Sequence, residues 1–512
     1  MVNSNIEATW AYHNATKHSY WSVRNQPHFL DWENQPLPFK IYSTLEPIPL
    51  PNPMDPPEMA AGVAISRLNI QLEGDCIPDL TTLARILYFS AGITRRRTYP
   101  GGEIYFRAAA CTGALYEIEL YLVCGNLPDL EAGVYHFGVQ DFALRRLRRG
   151  DYRGVLVKAS GDEPTISHSP VIVICTGTYW RNAWKYRART YRHFFWDNGT
   201  ILANLLSIST SLQVPARIVL GFVDEEVNLL LDLDTRREVA LSLVPLGRVA
   251  EPPPAVQEEI LPLHLETVPL SRREVDYPSM RKMHEASMLT SPEEVRIWRS
   301  GTFQISTPEP TRRLFPLPPY GEEELPADPI HKVILRRGSS RQFAWKSISF
   351  VQLSILLSLA TQGIPADFLE PFGTQLNDLY LIVHAVEDLP PGAYFFHRDK
   401  KALELLKEGD FRQQAGYLGL EQELPADASV DVFFLADLHR ILERFGNRGY
   451  RAVQLEAGIL GGKLYLAAYA QRLGATGLTF YDDEVVEFFS PHATGKSTIF
   501  LVALGVGVKP RS

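Results

Sequence analysis

Cysteine is scarce: Cys76, Cys111, Cys124 and Cys175 are the four in 512 residues. None sits in the C-x-x-C pairing that zinc or thioredoxin-like chemistry uses, and four cannot scaffold a chain this long, so a reducing cytoplasm is expected. Basic residues are also in deficit, 51 against 59 acidic, for a net charge of −8. That balance disfavours phosphate backbones and excludes nucleic acid as an expected partner. No run of about 18 apolar residues occurs, and the first residues lack a basic stretch followed by an apolar one, so neither a membrane span nor export is expected. No G-x-G-x-x-G dinucleotide fingerprint is evident. What the chain does have is 45% hydrophobic and 11% aromatic residues, enough to bury large cores, and a length that exceeds one.

The chain repeats itself. Gly133-Val134-Tyr135-His136-Phe137 and the closing Gly150-Asp151-Tyr152-Arg153 return as Gly392-Ala393-Tyr394-Phe395-Phe396 and Gly409-Asp410-Phe411-Arg412, with 392 − 133 = 259 and 409 − 150 = 259. The same offset joins Leu120-Tyr121-Leu122-Val123 to Leu379-Tyr380-Leu381-Ile382, Tyr191-Arg192 to Tyr450-Arg451, Gly199 to Gly458 and Asp224 to Asp483. Two homologous domains are therefore expected at 60–250 and 331–512, preceded by an extended arm at 1–59. Between them, 251–330 holds 14 of 37 prolines, which predicts a long connector wrapped over the surface. A second proline-rich stretch, Pro36 to Pro57, has eight prolines in 22 residues and is also expected to be extended.

Periodicity predicts the same plan in each repeat. A helix (Leu80–Ser90; Phe350–Thr361) precedes a strand (Glu117–Val123; Asn377–Val383) and a hairpin, then a strand (Val171–Thr176; Val430–Leu435). A long helix after Tyr191-Arg192 or Tyr450-Arg451 and a closing strand (Ala240–Leu246; Thr498–Leu504) complete it. This is an α+β layered domain, and duplication predicts an intramolecular pseudo-dimer.

The sharpest local signal opens the second repeat: Arg336-Arg337-Gly338-Ser339-Ser340-Arg341-Gln342-Phe343. Three guanidiniums and two hydroxyls can surround a phosphate, although a solvated basic cluster is the plainer alternative. Registering the helices by Gly92 and Gly363 puts the first repeat's counterpart at Ile65-Ser66-Arg67-Leu68-Asn69-Ile70, with one arginine left. A reciprocal loss follows. The first repeat has the small-residue loop Ala108-Ala109-Ala110-Cys111-Thr112-Gly113, which lets a flat ligand approach the backbone, where the second has Glu370-Pro371-Phe372 in place of Cys111-Thr112-Gly113.

The R-R-x-S-x-R element, the small loop leading into G-A-L-Y-x-x-E-L-Y, and Y-R at the long helix together resemble the nitroreductase-like flavoproteins. More narrowly they resemble SagB/ThcOx-type dehydrogenases, whose double-domain members carry a segment similar to Tyr12-His13-Asn14-Ala15-Thr16-Lys17-His18-Ser19. The resemblance implies FMN at the interface between two nitroreductase-like domains. It places Arg336 and Arg337 at the phosphate, Ser339 near the ribityl-phosphate region and Arg341 at the flavin O2/N1 edge, with Ala110, Cys111, Thr112 and Gly113 supplied by the other half. Cys111 and Ala110 depart from the family's serine and proline. Family position also suggests Ala475, Thr476 and Gly477 near N5 and O4, Lys496 as a second phosphate ligand or an exposed turn lysine, and Lys185-Tyr186 as a catalytic pair in proton removal. The second repeat has Arg444-Phe445 there.

The two losses are complementary, so one intact FMN site per chain is expected. The implied function is an FMN-dependent oxidoreductase acting on a small molecule or peptide. The alternatives are an NAD(P)H-dependent nitroreductase or quinone reductase, and a non-catalytic flavin- or peptide-binding protein. Pseudo-dimers could associate further. Gly495-Lys496-Ser497 lacks the earlier glycine of a P-loop, Ser490 standing there, and ATP is rejected. His13 and His18 lack further ligands at useful spacing, and no metal is expected.

Overall fold

A computed structural model describes residues 2–25, 28–68, 74–99, 102–254, 259–303 and 308–508. Two antiparallel sheets are built to one plan. The first runs Pro47–Pro49, Ala143–Arg149, Gly133–Gly138, Ile118–Cys124, Val171–Thr178, Glu238–Leu246. The second runs Gly474–Leu478, Ser497–Gly505, Val430–Ala436, Asp378–Val383, Gly392–His397, Ala402–Glu408, Leu314–Pro316. The central strands Ile118–Cys124 and Val430–Ala436 are buried at every position, Glu119 and Asp431 included, as their mainly apolar sequences require. The first-half counterpart of Gly474–Leu478 makes isolated bridges, Ala216 to Leu246, Ile218 to Ala366 and Val219 to Leu243.

Both proline-rich stretches reach a sheet edge at equivalent places. Pro49 pairs with Ala143 and Pro316 with Ala402, and 402 − 143 = 259. Proline lacks the N–H that would recruit a further strand, so these stretches blunt each edge. The connector is not extended throughout. Pro278–Ala286 and Pro292–Arg299 are helices, each with proline in its first turn, where the missing donor has no intrahelical partner to lose.

The equivalent helices Leu80–Ala91 and Phe350–Thr361 are both started by side-chain caps. Asp79 accepts from Thr82 N at 2.7 Å, and Ser349 forms a capping box with Gln352. The first helix leads into a hairpin, Ile93–Tyr99 with Gly102–Arg107, that the periodicity did not predict.

The halves meet along two buried helices, Thr190–Ser211 and Arg448–Ala470, both starting before the Tyr-Arg pair rather than after it. Gly199 faces Gly458: a Cβ on Gly199 would lie 2.4 Å from the Gly458 carbonyl carbon. Residues matched by the repeat thus touch each other, as they must at a pseudo-two-fold axis. Trp196 donates to Gln454 Oε1 across it at 2.6 Å.

Reciprocal ion pairs flank the axis. Arg192 and Arg189 bond Asp482 at 2.6 and 3.0 Å, and Arg451 and Arg448 bond Asp224, the first at 2.6 Å. The partner equivalent to Asp224 is therefore Asp482. Asp483 is largely exposed and pairs with Lys17, which corrects the alignment by one residue. Burial raises the cost of charging both aspartates, yet the paired guanidiniums hold each carboxyl below its usual range.

The symmetry is broken by the segment from Tyr12 to Ser19. Tyr12 packs edge-on against both Tyr191 and Tyr450, and the His18 backbone N–H donates to Asp482 at 2.8 Å. Among the described residues, no helix is long and apolar enough to cross a membrane.

Candidate functional site

The arginine motif of the second half meets the small loop of the first. Arg337 caps the helix Ile330–Arg336 and reaches across the interface: Nε donates to Ala108 O at 2.8 Å and Nη2 to Arg107 O at 2.9 Å, while Nη1 donates to Gly338 O at 3.1 Å. Three of its five donors are thus spent on carbonyls and two remain. Arg336 turns elsewhere, giving Nη2 to Asp328 at 2.7 Å and to the Tyr469 carbonyl at 2.8 Å. Its Nε is buried without a hydrogen-bond partner among the described residues. Arg341 is exposed and has no hydrogen-bond partner among the described residues.

Ser339 Oγ lies 3.3 Å from Tyr465 Oη, which accepts the Gly477 backbone N–H at 2.6 Å. Ser340 N donates to Ala475 O at 2.9 Å, so the strand Gly474–Leu478, including Thr476, lies beside the motif. Lys496 does not join this group. It is ion-paired with Asp378, which offsets its charge and occupies one of its three donors.

On the first-half side, Thr112 donates its N–H and Oγ1 to Asp197 at 2.9 Å each, and Thr200 Oγ1 donates to Ala110 O at 2.6 Å. Gly113 has φ 65°, and a Cβ there would sit 2.8 Å from Tyr186 Oη. Only glycine fits both the left-handed backbone and that contact. Tyr186 packs edge-on against His193, with centroids 4.7 Å apart.

The helix Tyr179–Tyr186 that carries Lys185 and Tyr186 is anchored one turn earlier. Arg181 donates to Tyr116 O at 2.8 Å and to Glu119 at 2.6 Å, and His136 lies 2.9 Å from the same carboxylate. Burial opposes charge on Glu119, but Arg181 and His136 override it and hold its carboxyl at about 2.

Lys185 is made less basic by partial desolvation and then by Arg341. Burial raises the Tyr186 phenol, Asp197, Cys111 and Glu117 reinforce that, and Arg341 opposes it. Arg341 of one half thus lies within electrostatic reach of Lys185 and Tyr186 of the other.

The pseudo-symmetric position is filled. Arg67, equivalent to Arg337 as a helix C-cap, is largely exposed, and Asn69 and Ile70 lie outside the described residues. In place of Tyr186 stands Phe445, which packs against the connector's Trp298 and Phe303 at 5.6 Å each, while Arg444 donates to the Trp298 carbonyl at 3.1 Å. The counterpart of Gly477, Ile218, gives its N–H to Pro365 O at 2.8 Å, and Leu220 and Gly221 give theirs to Asp367 at 2.9 Å.

Sequence reasoning missed Tyr465, Glu117 and Asp197. Tyr465 carried a signal, because its counterpart 259 residues earlier is Leu206. A cavity of about 700 Å³ lies elsewhere, lined by Lys40, Arg181, Glu238 and Glu274 among others.

With two equivalent layered halves joined along their long helices, the architecture is the nitroreductase-like fold. Residues 334–506 match the nitroreductase family model. A nitroreductase-like protein of Anabaena variabilis has a solved structure that superposes over 98% of this chain and 99% of its own, with a TM-score of 0.77 at 26% identity. The nitroreductase-like protein MJ1384 of Methanocaldococcus jannaschii is 26% identical over 172 residues, 34% of this chain and 82% of that one. The microcin B17-processing protein McbC of Escherichia coli is 27% identical over 160 residues, 30% of this chain and about half (55%) of McbC. The chain thus has homology to the nitroreductase-like oxidoreductase superfamily, with McbC a distant homologue.

Proposed function

We propose that the protein is an FMN-dependent oxidoreductase of the SagB/ThcOx type, with one flavin site per chain in the crevice between its halves. The observation that carries this reading is Arg337 of the second half bonded to the carbonyls of Arg107 and Ala108 in the first, which brings the arginine motif and the small loop to one place. The residues present fit the cofactor. Gly113 leaves no room for a side chain on the loop, Arg341 is a cation without a hydrogen-bond partner among the described residues, and Arg337 retains two donors. Arg337, Arg341, Ser339, the loop Ala110 to Gly113 and the strand containing Ala475, Thr476 and Gly477 would hold it.

When bound, FMN supplies hydride transfer at N5. The chain's own residues do the rest. Arg341 offers positive charge to an anionic ligand in the crevice. Lys185, less basic than a free lysine, takes a proton from substrate carbon, and Tyr186, kept as a phenol, donates a hydrogen bond and relays that proton. The likeness to a microcin-processing protein supports a peptide as substrate.

Paired FMN titrations test this. Arg341→Ala weakens FMN binding about tenfold, the loss of one charge-assisted contact, and Arg67→Ala leaves it unchanged. Equal effects of the two variants would overturn the single-site reading. Rapid anaerobic reduction of the bound flavin by NAD(P)H, unaffected by Lys185→Met, would favour the nitroreductase alternative.

A further inference from the structure

Behind the loop lies a cluster that the proposed flavin chemistry does not use. Cys111 Sγ is 3.3 Å from Asp197 Oδ2 and 3.4 Å from Glu117 Oε2, and Tyr116 N–H donates to the same sulfur at 3.0 Å. Among the described residues this is the one group of three metal-capable side chains close enough to share an ion. Glu117 and Asp197 are both buried, and no lysine or arginine hydrogen-bonds either carboxylate among the described residues. Glu117 Oε1 is buried with no N–H or O–H donor assigned to it among the described residues, while its other oxygen faces the sulfur.

A cation between the three groups, like a proton shared by Asp197 and Glu117, satisfies these contacts. A backbone N–H pointing at sulfur favours a thiolate, yet two carboxylates on the same sulfur disfavour one. A thiol has one proton and can satisfy only one of the two oxygens. Zinc holds sulfur at about 2.3 Å and carboxylate oxygen at about 2.0–2.2 Å, which sets a tetrahedral S···O edge of about 3.5 Å. The two observed S···O separations fit that edge. A void of about 10 Å³ opens beside Cys111, Tyr116 and Asp197, roughly the space of one water sphere, enough for a fourth ligand.

The cluster belongs to this half alone. At offset 259 the three positions become Glu370, Leu376 and Glu456. Glu456 instead accepts the backbone N–H groups of Leu376 and Asn377 at 2.9 and 2.8 Å. Asp197 is one methylene shorter and is drawn to Thr112, leaving room for the Glu117 carboxylate.

We propose that Cys111, Glu117 and Asp197 bind a divalent transition-metal ion of the zinc class, with water completing the shell, and that this ion pins the loop from Ala110 to Gly113. Zinc is the probe. The purified full chain, dialysed free of loose metal and reloaded, holds about one zinc per chain. Cobalt loaded in its place gives a sulfur-to-metal charge-transfer band that zinc abolishes. Cys111→Ser loses the band and at least about nine-tenths of the zinc, while Cys76→Ser keeps both. Wild-type protein that shows no charge-transfer band and holds under about a tenth of an equivalent of zinc overturns the proposal, whether or not Cys111→Ser folds. Metal content is read without flavin, so this result and the fate of the flavin reading are independent.

Discussion

Asp482→Asn removes one charge from the centre of the interface, and its effect can be worked from the contacts. Its carboxylate accepts Arg192 at 2.6 Å and Arg189 at 3.0 Å, both buried, and the half-buried His18 N–H at 2.8 Å. An asparagine keeps the shape but leaves two guanidiniums uncompensated, and breaking a buried pair by removing one partner costs about 3–5 kcal/mol. Asp224→Asn removes the equivalent carboxylate from Arg448 and Arg451, so its loss should agree with that of Asp482→Asn to about 1 kcal/mol. Both are read from urea denaturation with intrinsic fluorescence. The folded carboxyls are held below the ordinary range, so their stabilisation is complete above about pH 4 and is lost as pH falls below it. Each variant should therefore flatten the acid limb. Asp482→Asn should also expose the first twenty residues to protease, because only this aspartate ties His18. Losses under about 1 kcal/mol in both variants would refute the claim that reciprocal ion pairs join the halves.

Three other outcomes follow from single residues. Lys463 is buried, with its ammonium 3.3 Å from Gly363 O, and burial, then Arg398, lowers it from 10.5 to about 7. Between those values the unfolded chain holds one more proton, so wild-type stability rises with pH. Lys463→Met should be the more stable near pH 7, with the gain shrinking toward pH 10.5, by at most about 1.4 kcal/mol per pH unit in thermal melts. Gly113→Ala places a methyl against Tyr186 Oη at a left-handed position. It should cost about 1–2 kcal/mol of stability and slow substrate-driven flavin reduction about a hundredfold by displacing Tyr186. Trp298→Ala opens the filled pseudo-site against Phe445 and Gly221 and should destabilise the protein by about 3–5 kcal/mol in the same denaturation assay.

Much of the fold is legible because the central strands are mainly apolar and the copy 259 residues on reads the same way. The helix Phe350–Thr361 is found where periodicity put it, since Ser349 and Gln352 announce its start. The connector helices are hidden in the sequence because dense proline reads as extended chain, whereas Pro278 and Pro292 occupy first-turn positions. At the site, residue types were readable and partners were not. Nothing near Arg336 in sequence shows that the Tyr469 carbonyl takes its donor, and Lys496 finds Asp378 118 residues away. Cys111 and Asp197 are 86 positions apart, so their contact exists only once the long helix lies under the loop.

The most direct measurement is the flavin content of the full chain saturated with FMN and freed of excess ligand. A halved pseudo-dimer, with Arg341 facing Lys185 on one side and Trp298 packed on Phe445 on the other, predicts one FMN per chain. Two FMN per chain, or none retained, would contradict it.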